Sequence, residues 1–422
     1  MSHDRQSTVV VVGGGHNGLA MSKRMSDRAI DHVVLERGDV ANSWRTQRWD
    51  SFTLLTPNWQ TRLPGLAHEA GDPDGFMTRD ELVGFLERYA ATVDAPVHTG
   101  TTVTRVTKAD DDDNGYDVAT DQGTWRCRCV VLAGGACNVS TIPSLAAEVP
   151  SGVDQVSPLD YRRPDQLADG GVLVVGASAT GIQLAEEIHA SGRPVTLSVG
   201  EHVRMLRTYR GRDIYHWMDA IGRLDEHYRE VDDLVKARKV ASPQLVGSAE
   251  RRTLDLNRVA DAGVELRGRL GAIRDGIAMF SGGLRNHCAL ADQKLGRLLD
   301  DIDEWISEHE IDAELDSPAR PEPTRIAKGT PLTLDLTRSG IATIVWATGF
   351  RPDHSWVDLP VFDETGRIRH DGGVVDAPGV YYLGATFLRR RRSSFIHGAN
   401  DDTDDLAAHL VGYLGGLSVG GR

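Results

Sequence analysis

The sequence predicts an α/β protein built on two copies of one strand–turn–helix–strand unit. Two glycine-rich turns predict the two units, because each follows an unbroken apolar run and precedes a helical stretch. Strand-like sequence returns near the C-terminus, which predicts that the second unit is inserted into the domain that contains the first. The chain has 422 residues, enough for two or three domains.

The first unit begins with the apolar run at residues 9–12, which is typical of a parallel strand covered on both faces. The turn at residues 13–18 (GGGHNG) follows, then a helical stretch and a second apolar run that ends at Glu36. In a Rossmann-like βαβ unit the glycines let a pyrophosphate approach the helix start, and the acid binds the ribose hydroxyls. We therefore predict that the first unit binds a dinucleotide.

The second unit has its strand at residues 172–175 and its turn at residues 176–181 (GASATG). Ser198 stands where we expect an acid, and Arg204 and Arg207 follow. A missing carboxylate near guanidinium groups favours the 2′-phosphate of NADPH over NADH. The alternative is that these arginines cover a solvated face. The predicted NADPH ligands are Gly176, Ser178, Thr180, Gly181, Ser198, Arg204 and Arg207.

Composition disfavours several other classes of protein. The net charge of −14 disfavours nucleic acid and anionic membrane surfaces as partners. No apolar run approaches the roughly 18–20 residues that a membrane span needs. The four cysteines include no C-x-x-C pair, so we expect neither a disulfide framework nor a metal site. The N-terminal residues are polar, and we expect a cytoplasmic protein without a signal peptide.

The remaining patterns predict the domain organisation. We predict helices at residues 79–91, 284–310 and 401–414, an acidic turn at 110–114 and a linker at 317–331. The stripe of Leu295, Leu298, Leu299, Ile302 and Ile306 indicates core or interface packing. The predicted divisions are a first part of the domain with the first glycine turn at residues 1–160, an NADPH-binding domain at 161–335 and a second part of the first domain at 336–422.

Local motifs relate this pattern to a family. They are ER at 36–37, WR at 44–45, RWDS at 48–51, LTPN at 55–58, AGG at 133–135, ATGF at 347–350 and RSSFIHG at 392–398. With the two glycine turns, the sequence resembles the flavin-containing monooxygenase-like (class B) oxidoreductases from about Thr8 to Leu414. The resemblance implies two Rossmann-like dinucleotide-binding domains, with FAD in the first and NADPH in the second.

The resemblance also implies which residues hold FAD. Thr56 would lie beside the isoalloxazine, and the Val103 backbone would meet the adenine. The implied FAD ligands are Gly13, Gly15, Asn17, Gly18, Glu36, Arg37, Trp44, Arg45, Thr56, Val103, Ala133, Gly134, Ser394, Phe395 and Ile396. The weak catalytic candidates are Thr56, Asn58 and His397; the alternative for His397 is a hydrogen-bonded structural role.

Two departures from the family pattern concern the active site. In the window at residues 151–161, only Tyr161 matches the family's F-x-G-x-x-x-H-x-x-x-Y/F fingerprint. Leu55 replaces an Asn that many relatives place against the flavin, and Asn58 follows three residues later. The run at residues 389–392 (RRRR) predicts either steering of an anionic substrate or NADPH, or the default of a solvated face or pairing with nearby acids.

The resemblance implies an FAD- and NADPH-dependent monooxygenase that acts on a small organic molecule with O2 through a C4a-(hydro)peroxyflavin. N-hydroxylation or S-oxygenation is favoured, and carbonyl insertion comes second. Residues 49–59 are predicted either to wall the dry pocket that this chemistry needs or to pack between domains. An NAD(P)H oxidase, an electron-transfer reductase and a non-catalytic redox sensor are the alternatives, and a homodimer is possible.

Overall fold

The computed structural model describes residues 5–69, 71–109 and 115–419, so the predicted acidic turn at 110–114 lies outside the described residues. The helices are α1 (His16–Ser26), α2 (Asn42–Thr46), α3 (Arg79–Thr92), α4 (Ala179–Ala190), α5 (Ile214–Ala220), α6 (Leu234–Ala237), α7 (Leu256–Ala262), α8 (Leu284–Glu308) and α9 (Ala399–Val419). The strands are β1 (Arg5–Val12), β2 (His32–Leu35), β3 (Arg62–Leu63), β4 (Leu66–Ala67), β5 (Val97–His98), β6 (Val103–Lys108), β7 (Tyr116–Thr120), β8 (Gly123–Leu132), β9 (Val139–Ser140), β10 (Asp154–Val156), β11 (Gly171–Val175), β12 (Val195–Val199), β13 (Thr208–Tyr209), β14 (Arg212–Asp213), β15 (Glu265–Gly268), β16 (Leu270–Arg274), β17 (Ile277–Phe280), β18 (Thr333–Asp335), β19 (Ile341–Trp346), β20 (Phe350–Arg351), β21 (His370–Asp371), β22 (Val374–Val375) and β23 (Val380–Tyr382).

The first sheet is assembled from both ends of the chain. Its main path runs β21-β22-β23-β8-β1-β2-β5, and β7 joins β6 to β8. Strand β1 lies parallel to β2 and β8, and its valines are buried on both faces. Strand β23, from the C-terminal part, pairs in parallel with β8. This arrangement is the interleaved organisation that the sequence predicts.

The second sheet has the order β10-β19-β11-β12-β15, with all its pairs parallel. It contains β10 (Asp154–Val156), from before the predicted boundary at residue 160, and β19 (Ile341–Trp346), from after the predicted boundary at 335. The predicted boundaries at residues 160 and 335 would cut off the two strands at one side of this sheet. The second unit extends from about Asp154 to Trp346.

Helix α8 carries the predicted apolar stripe on a buried face. Leu299, Ile302 and Ile306 are fully buried in one cluster with Trp217 of α5, and Leu298 is partly buried there. The stripe therefore packs in the core of the second unit. Among the described helices, none has both the length and the apolarity needed to cross a membrane.

Candidate cofactor and active site

The first glycine turn closes tightly on the sheet at two of its three motif positions. Gly13 has a φ of +112°, and a Cβ added there would lie 2.5 Å from the carbonyl oxygen of Ala133. A Cβ at Gly18 would lie 1.9 Å from the carbonyl oxygen of Gly13. At Gly15, by contrast, a Cβ would meet no protein atom within 4 Å. Gly13 and Gly18 therefore serve packing, whereas Gly15 keeps space open before helix α1.

Glu36 lies directly after β2 with its carboxylate fixed in place. Its Oε2 accepts the Gly14 N–H at 2.7 Å and its Oε1 accepts the Gly38 N–H at 3.1 Å. Each carboxylate oxygen retains capacity for a further donor. Since Glu36 also lines a cavity, it fits the predicted contact with ribose hydroxyls.

A cavity of about 400 Å³ lies between the two units, and we call it the central cavity. Most of the predicted FAD ligands line it, together with Thr180 of the second turn. The predicted residues in its lining are Gly13, Gly15, Asn17, Glu36, Trp44, Thr56, Ala133, Gly134, Thr180, Ser394, Phe395 and Ile396.

The residues in this cavity fit a bound dinucleotide. Asn17, in the first turn of α1, is 5% exposed, and its Oδ1 is buried without a hydrogen-bond partner. Its Nδ2 lies 2.9 Å from His16 Nε2. A buried acceptor without a partner is costly unless a ligand supplies the donor. Together with the open space at Gly15, this orphaned oxygen supports FAD as the occupant of the first site.

Four implied FAD ligands lie outside the lining of the central cavity. Gly18 acts through the close packing described above. Arg45 is exposed and pairs with Glu87 of α3, with 2.6 Å between Nη2 and Oε1. Arg37 is exposed after Glu36, and Val103 packs against the first core. Arg45 is thus turned toward an acid on a neighbouring helix, and its role beside FAD stays a prediction.

The second glycine turn repeats the geometry of the first. Gly176 has a φ of +109°, and a Cβ there would lie 2.2 Å from the carbonyl oxygen of Ala347. A Cβ at Gly181 would lie 1.8 Å from the carbonyl oxygen of Gly176. Ser178 is the N-cap residue of α4, and Ala179 and Thr180 face the central cavity. Both glycine turns therefore open toward the same space.

The backbone pairing corrects the predicted role of Ser198. The Gly13 N–H donates to the carbonyl of Leu35, and the Gly176 N–H donates to the carbonyl of Ser198. Ser198 is thus the counterpart of Leu35, and the counterpart of Glu36 is the buried Val199. The Ser198 hydroxyl donates to the Gly268 carbonyl at 3.1 Å and accepts the Leu270 N–H at 2.9 Å. Ser198 therefore ties β12 to its neighbouring strands.

The structure also contradicts the predicted role of Arg204 and Arg207 in binding the 2′-phosphate. Arg204 pairs with Asp255 at 2.7 Å and Asp292 at 2.8 Å, and only 4% of its side chain is exposed. Arg207 pairs with Asp213 at 2.9 Å and its side chain is fully buried. Their charges are neutralised inside the second unit, so neither is available to a phosphate.

The three catalytic candidates occupy different environments. Thr56 lines the central cavity. Asn58 is buried outside the lining and donates to the Asp72 carbonyl at 3.0 Å. His397 is 2% exposed, and neither ring nitrogen has a partner. Burial lowers the pKa of His397 to about 3, so its ring is neutral near pH 7 and does not supply a cation there.

The four arginines at residues 389–392 are paired with acids, as one of the two interpretations of this run predicts. Arg389 pairs with Asp405 at 3.0 Å, Arg390 with Asp402 at 3.2 Å and Arg392 with Asp401 at 2.8 Å. Arg391 pairs with Glu226. These pairs hold the segment before α9 in place. They also give the two acids in the first turn of that helix, Asp401 and Asp402, their partners.

Sequence reasoning missed several residues that line the central cavity. They are His16, Gln47, Arg48, Cys137 and Tyr215. Burial lowers the pKa of His16 to about 4, so this ring is also neutral near pH 7. In the sequence, Arg48 is recognisable only as the first residue of the RWDS motif. The segments that contain Cys137 and Tyr215 carry no pattern that relates them to the first glycine turn.

Two glycine turns that face one cavity define an oxidoreductase of the two-dinucleotide class. Comparison with known proteins gives the family. Residues 10–225 match the family model described as pyridine nucleotide-disulphide oxidoreductase, which is about half of the chain. The chain therefore belongs to this family.

Three individual proteins illustrate the relationship. The chain is 27% identical over 408 residues to the uncharacterized oxidoreductase CzcO-like of Geobacillus kaustophilus, covering 96% of this chain and 98% of the relative. It is 26% identical over 208 residues to the indole-3-pyruvate monooxygenase YUCCA1 of Oryza sativa, covering 47% of this chain and 48% of that protein. A flavin-containing monooxygenase from Stenotrophomonas maltophilia superposes with a TM-score of 0.62 at 18% identity, over 97% of this chain and 99% of that one.

These findings confirm the predicted class B two-dinucleotide flavoprotein family and the α/β fold. They also confirm the class of enzyme, an oxidoreductase.

Gly15→Val tests the first site. A side chain there meets open space rather than protein, so we expect the variant to fold but to purify without FAD. Flavin absorbance and circular dichroism measure the two effects. Gly282→Val is the matched control, because a Cβ at Gly282 also meets nothing within 4 Å and the residue is exposed before α8. A fully yellow Gly15→Val protein would contradict the assignment.

Arg204→Ala tests the structural role of the buried arginine. It leaves Asp255 and Asp292 without their cation, so we expect a loss of about 3–5 kcal/mol in the free energy of unfolding. Denaturant unfolding measures this loss. Arg297→Ala, an exposed position on α8, serves as the control and should change stability little. A stable Arg204→Ala variant with selectively weakened NADPH binding would restore the original prediction.

Proposed function

We propose that this protein is a monooxygenase that uses FAD, NADPH and O2 to oxygenate a small organic molecule. One observation carries the proposal: the helix starts of both glycine turns, α1 and α4, border the same central cavity. Two dinucleotides held at these starts would bring their redox-active rings toward one another within it. Transfer of hydride between two bound rings requires such an arrangement.

Separate groups of the chain would bind the two cofactors. The N–H groups at the start of α1 and the Glu36 carboxylate would hold the pyrophosphate and ribose of FAD. The N–H groups at the start of α4, with Thr180, would hold the nicotinamide dinucleotide in the same way. FAD supplies hydride acceptance and activation of O2 when it is bound.

The wall of the central cavity supports oxygenation. Trp49 and Phe52 pack edge to face with centroids 5.0 Å apart, and Tyr215 and Phe395 do so at 5.4 Å. Each of these four residues lines the cavity. Oxygen transfer to a substrate requires that water be kept from the reacting flavin, and aromatic side chains from three segments of the chain would exclude it.

Among reactions, N-hydroxylation or S-oxygenation remains favoured and carbonyl insertion second. The names of the relatives agree with oxygenation: one is a flavin-containing monooxygenase and one acts on indole-3-pyruvate. An oxidase, an electron-transfer reductase and a redox sensor remain the alternatives.

The test compares the amount of NADPH that the purified holoprotein oxidises with the amounts of hydrogen peroxide and oxygenated product that it forms. With NADPH and ¹⁸O₂, we screen amines, sulfides and ketones and measure NADPH oxidised, hydrogen peroxide released and label in the product. A monooxygenase incorporates one labelled oxygen per NADPH and releases less peroxide when its substrate is present. Stoichiometric peroxide with every compound would indicate an oxidase. If NADPH is oxidised rapidly only when an electron acceptor is added, the protein is a reductase. If NADPH is not oxidised under any of these conditions, the protein is a redox sensor.

For the 2′-phosphate of NADPH we propose Arg269 in place of Arg204 and Arg207. The parallel register pairs Val199 with Gly268, so Arg269 lies beside Gly200, just beyond the counterpart of Glu36. A Cβ added at Gly200 would lie 3.7 Å from the side chain of Arg269. Arg269 is exposed, and no described carboxylate pairs with it. Its guanidinium is therefore free to bind a phosphate at this edge of the sheet.

Arg269→Ala should weaken NADP⁺ binding by about 10- to 100-fold and leave NAD⁺ binding unchanged, because only NADP⁺ carries the 2′-phosphate. Calorimetric titration of the holoprotein with each dinucleotide measures this difference. Arg274→Ala, an exposed arginine on β16, is the matched control. Equal weakening of both dinucleotides by Arg269→Ala would refute the role.

A further inference from the structure

Arg48 is the only lysine or arginine among the described residues that line the central cavity. It follows the short helix α2, and its side chain is half-buried. Its guanidinium carbon lies 4.9 Å from the ring centroid of Trp44 and 5.8 Å from that of Phe52, and both rings line the same cavity. The two rings hold a cation at the wall of the space in which the substrate would react.

Within the part of the chain that the structure describes, the charge of Arg48 has no counter-ion. Its one hydrogen bond runs from Nη1 to the Gln47 carbonyl at 2.7 Å, and no described carboxylate lies within ion-pair distance. Burial lowers the pKa of the Arg48 guanidinium, yet an arginine stays cationic near pH 7. A partly buried cation without a counter-ion is unfavourable for stability, and an anionic ligand would relieve this cost.

A second polar group near Arg48 is also unpartnered. The side-chain Oε1 of Gln47 is buried without a hydrogen-bond partner, and Gln47 lines the central cavity. This wall therefore offers unused guanidinium donors next to an unused acceptor. The remaining lining beside it, Trp44 and Phe52, is aromatic. The guanidinium fits an anionic group, the Gln47 oxygen fits a hydrogen-bond donor, and the two rings fit an apolar body.

The phosphates of the two proposed dinucleotides would bind to other groups of the protein. The FAD pyrophosphate belongs at the first glycine turn, where Gly15 leaves open space, and that of the nicotinamide dinucleotide belongs at the start of α4. The arginines at residues 389–392 are neutralised by acids. Arg48 is thus left as the cation for a third anionic group.

We propose that Arg48 binds the carboxylate of the substrate, so that the molecule oxygenated in the central cavity is a small organic acid with an apolar body. The planar guanidinium would pair with both carboxylate oxygens and fix the orientation of the apolar part toward the flavin site. This inference rests on the proposed function for the reaction, whereas the binding itself is independent of turnover.

The experiment compares phenylacetate with its neutral analogue phenylacetamide in the FAD-loaded protein, by calorimetry and by the change in flavin absorbance. We expect phenylacetate to bind about tenfold or more tightly than the amide in the wild type. Arg48→Gln should abolish this preference, with a loss of about 10- to 100-fold for phenylacetate, and Arg48→Lys should retain part of it. Arg274→Gln, at an exposed arginine on β16 outside the lining of the central cavity, should behave as the wild type.

Three results would overturn the inference. One is that the wild-type protein binds phenylacetate no better than phenylacetamide, or that it binds neither compound. Another is an unchanged preference in Arg48→Gln. The third is loss of FAD or of NADP⁺ affinity in Arg48→Gln with phenylacetate binding intact, which would assign the guanidinium to a cofactor phosphate. Failure of NADPH-driven oxygenation with Arg48-dependent binding preserved would instead overturn the proposed function alone.

Discussion

Two close contacts between a glycine turn and the carbonyl at the end of a neighbouring strand organise this molecule. Gly13 abuts Ala133 in the first sheet, and Gly176 abuts Ala347 in the second. Both glycines have positive φ values, so a side chain would meet strain and a clash together. Each contact fixes the start of a helix at the carboxyl edge of its sheet. Because both edges face the central cavity, the cofactor sites depend on these two contacts.

The distribution of charge explains which arginines are available to ligands. The chain is strongly acidic, and its carboxylates neutralise most of the arginines that the sequence singles out. Arg204 and Arg207 are buried ion-pair partners inside the second unit: the acids that pair with Arg204 lie far along the chain, and Arg207 pairs with the nearby Asp213. Arg48 and Arg269 are without such partners, one inside the central cavity and one at the edge of the second sheet. An arginine of this protein can therefore bind an anionic ligand only where no carboxylate already pairs with it.

Local geometry made much of the fold predictable. A glycine turn between a strand and a helix is encoded within about ten residues, and the acid that ends the first unit follows about twenty residues later. The stripe on α8 was equally readable, because helical periodicity and burial follow from the same spacing. The errors arose where strand pairing decides the outcome. Strands β10 and β19 pair across nearly two hundred residues. The counterpart of Glu36 is Val199 rather than Ser198, because it is set by the register of β12 against β11.

The sequence by itself determined the two dinucleotide units, their interleaved order and the family, because these depend on short motifs and their sequence order. Only the tertiary structure decided that Ser198 ties strands together, that Arg204 is neutralised and that Arg48 is not. The physical reason is that the environment of a side chain is set by residues distant along the chain, whose burial and ion pairing determine whether a charged group stabilises the fold or remains free for a ligand.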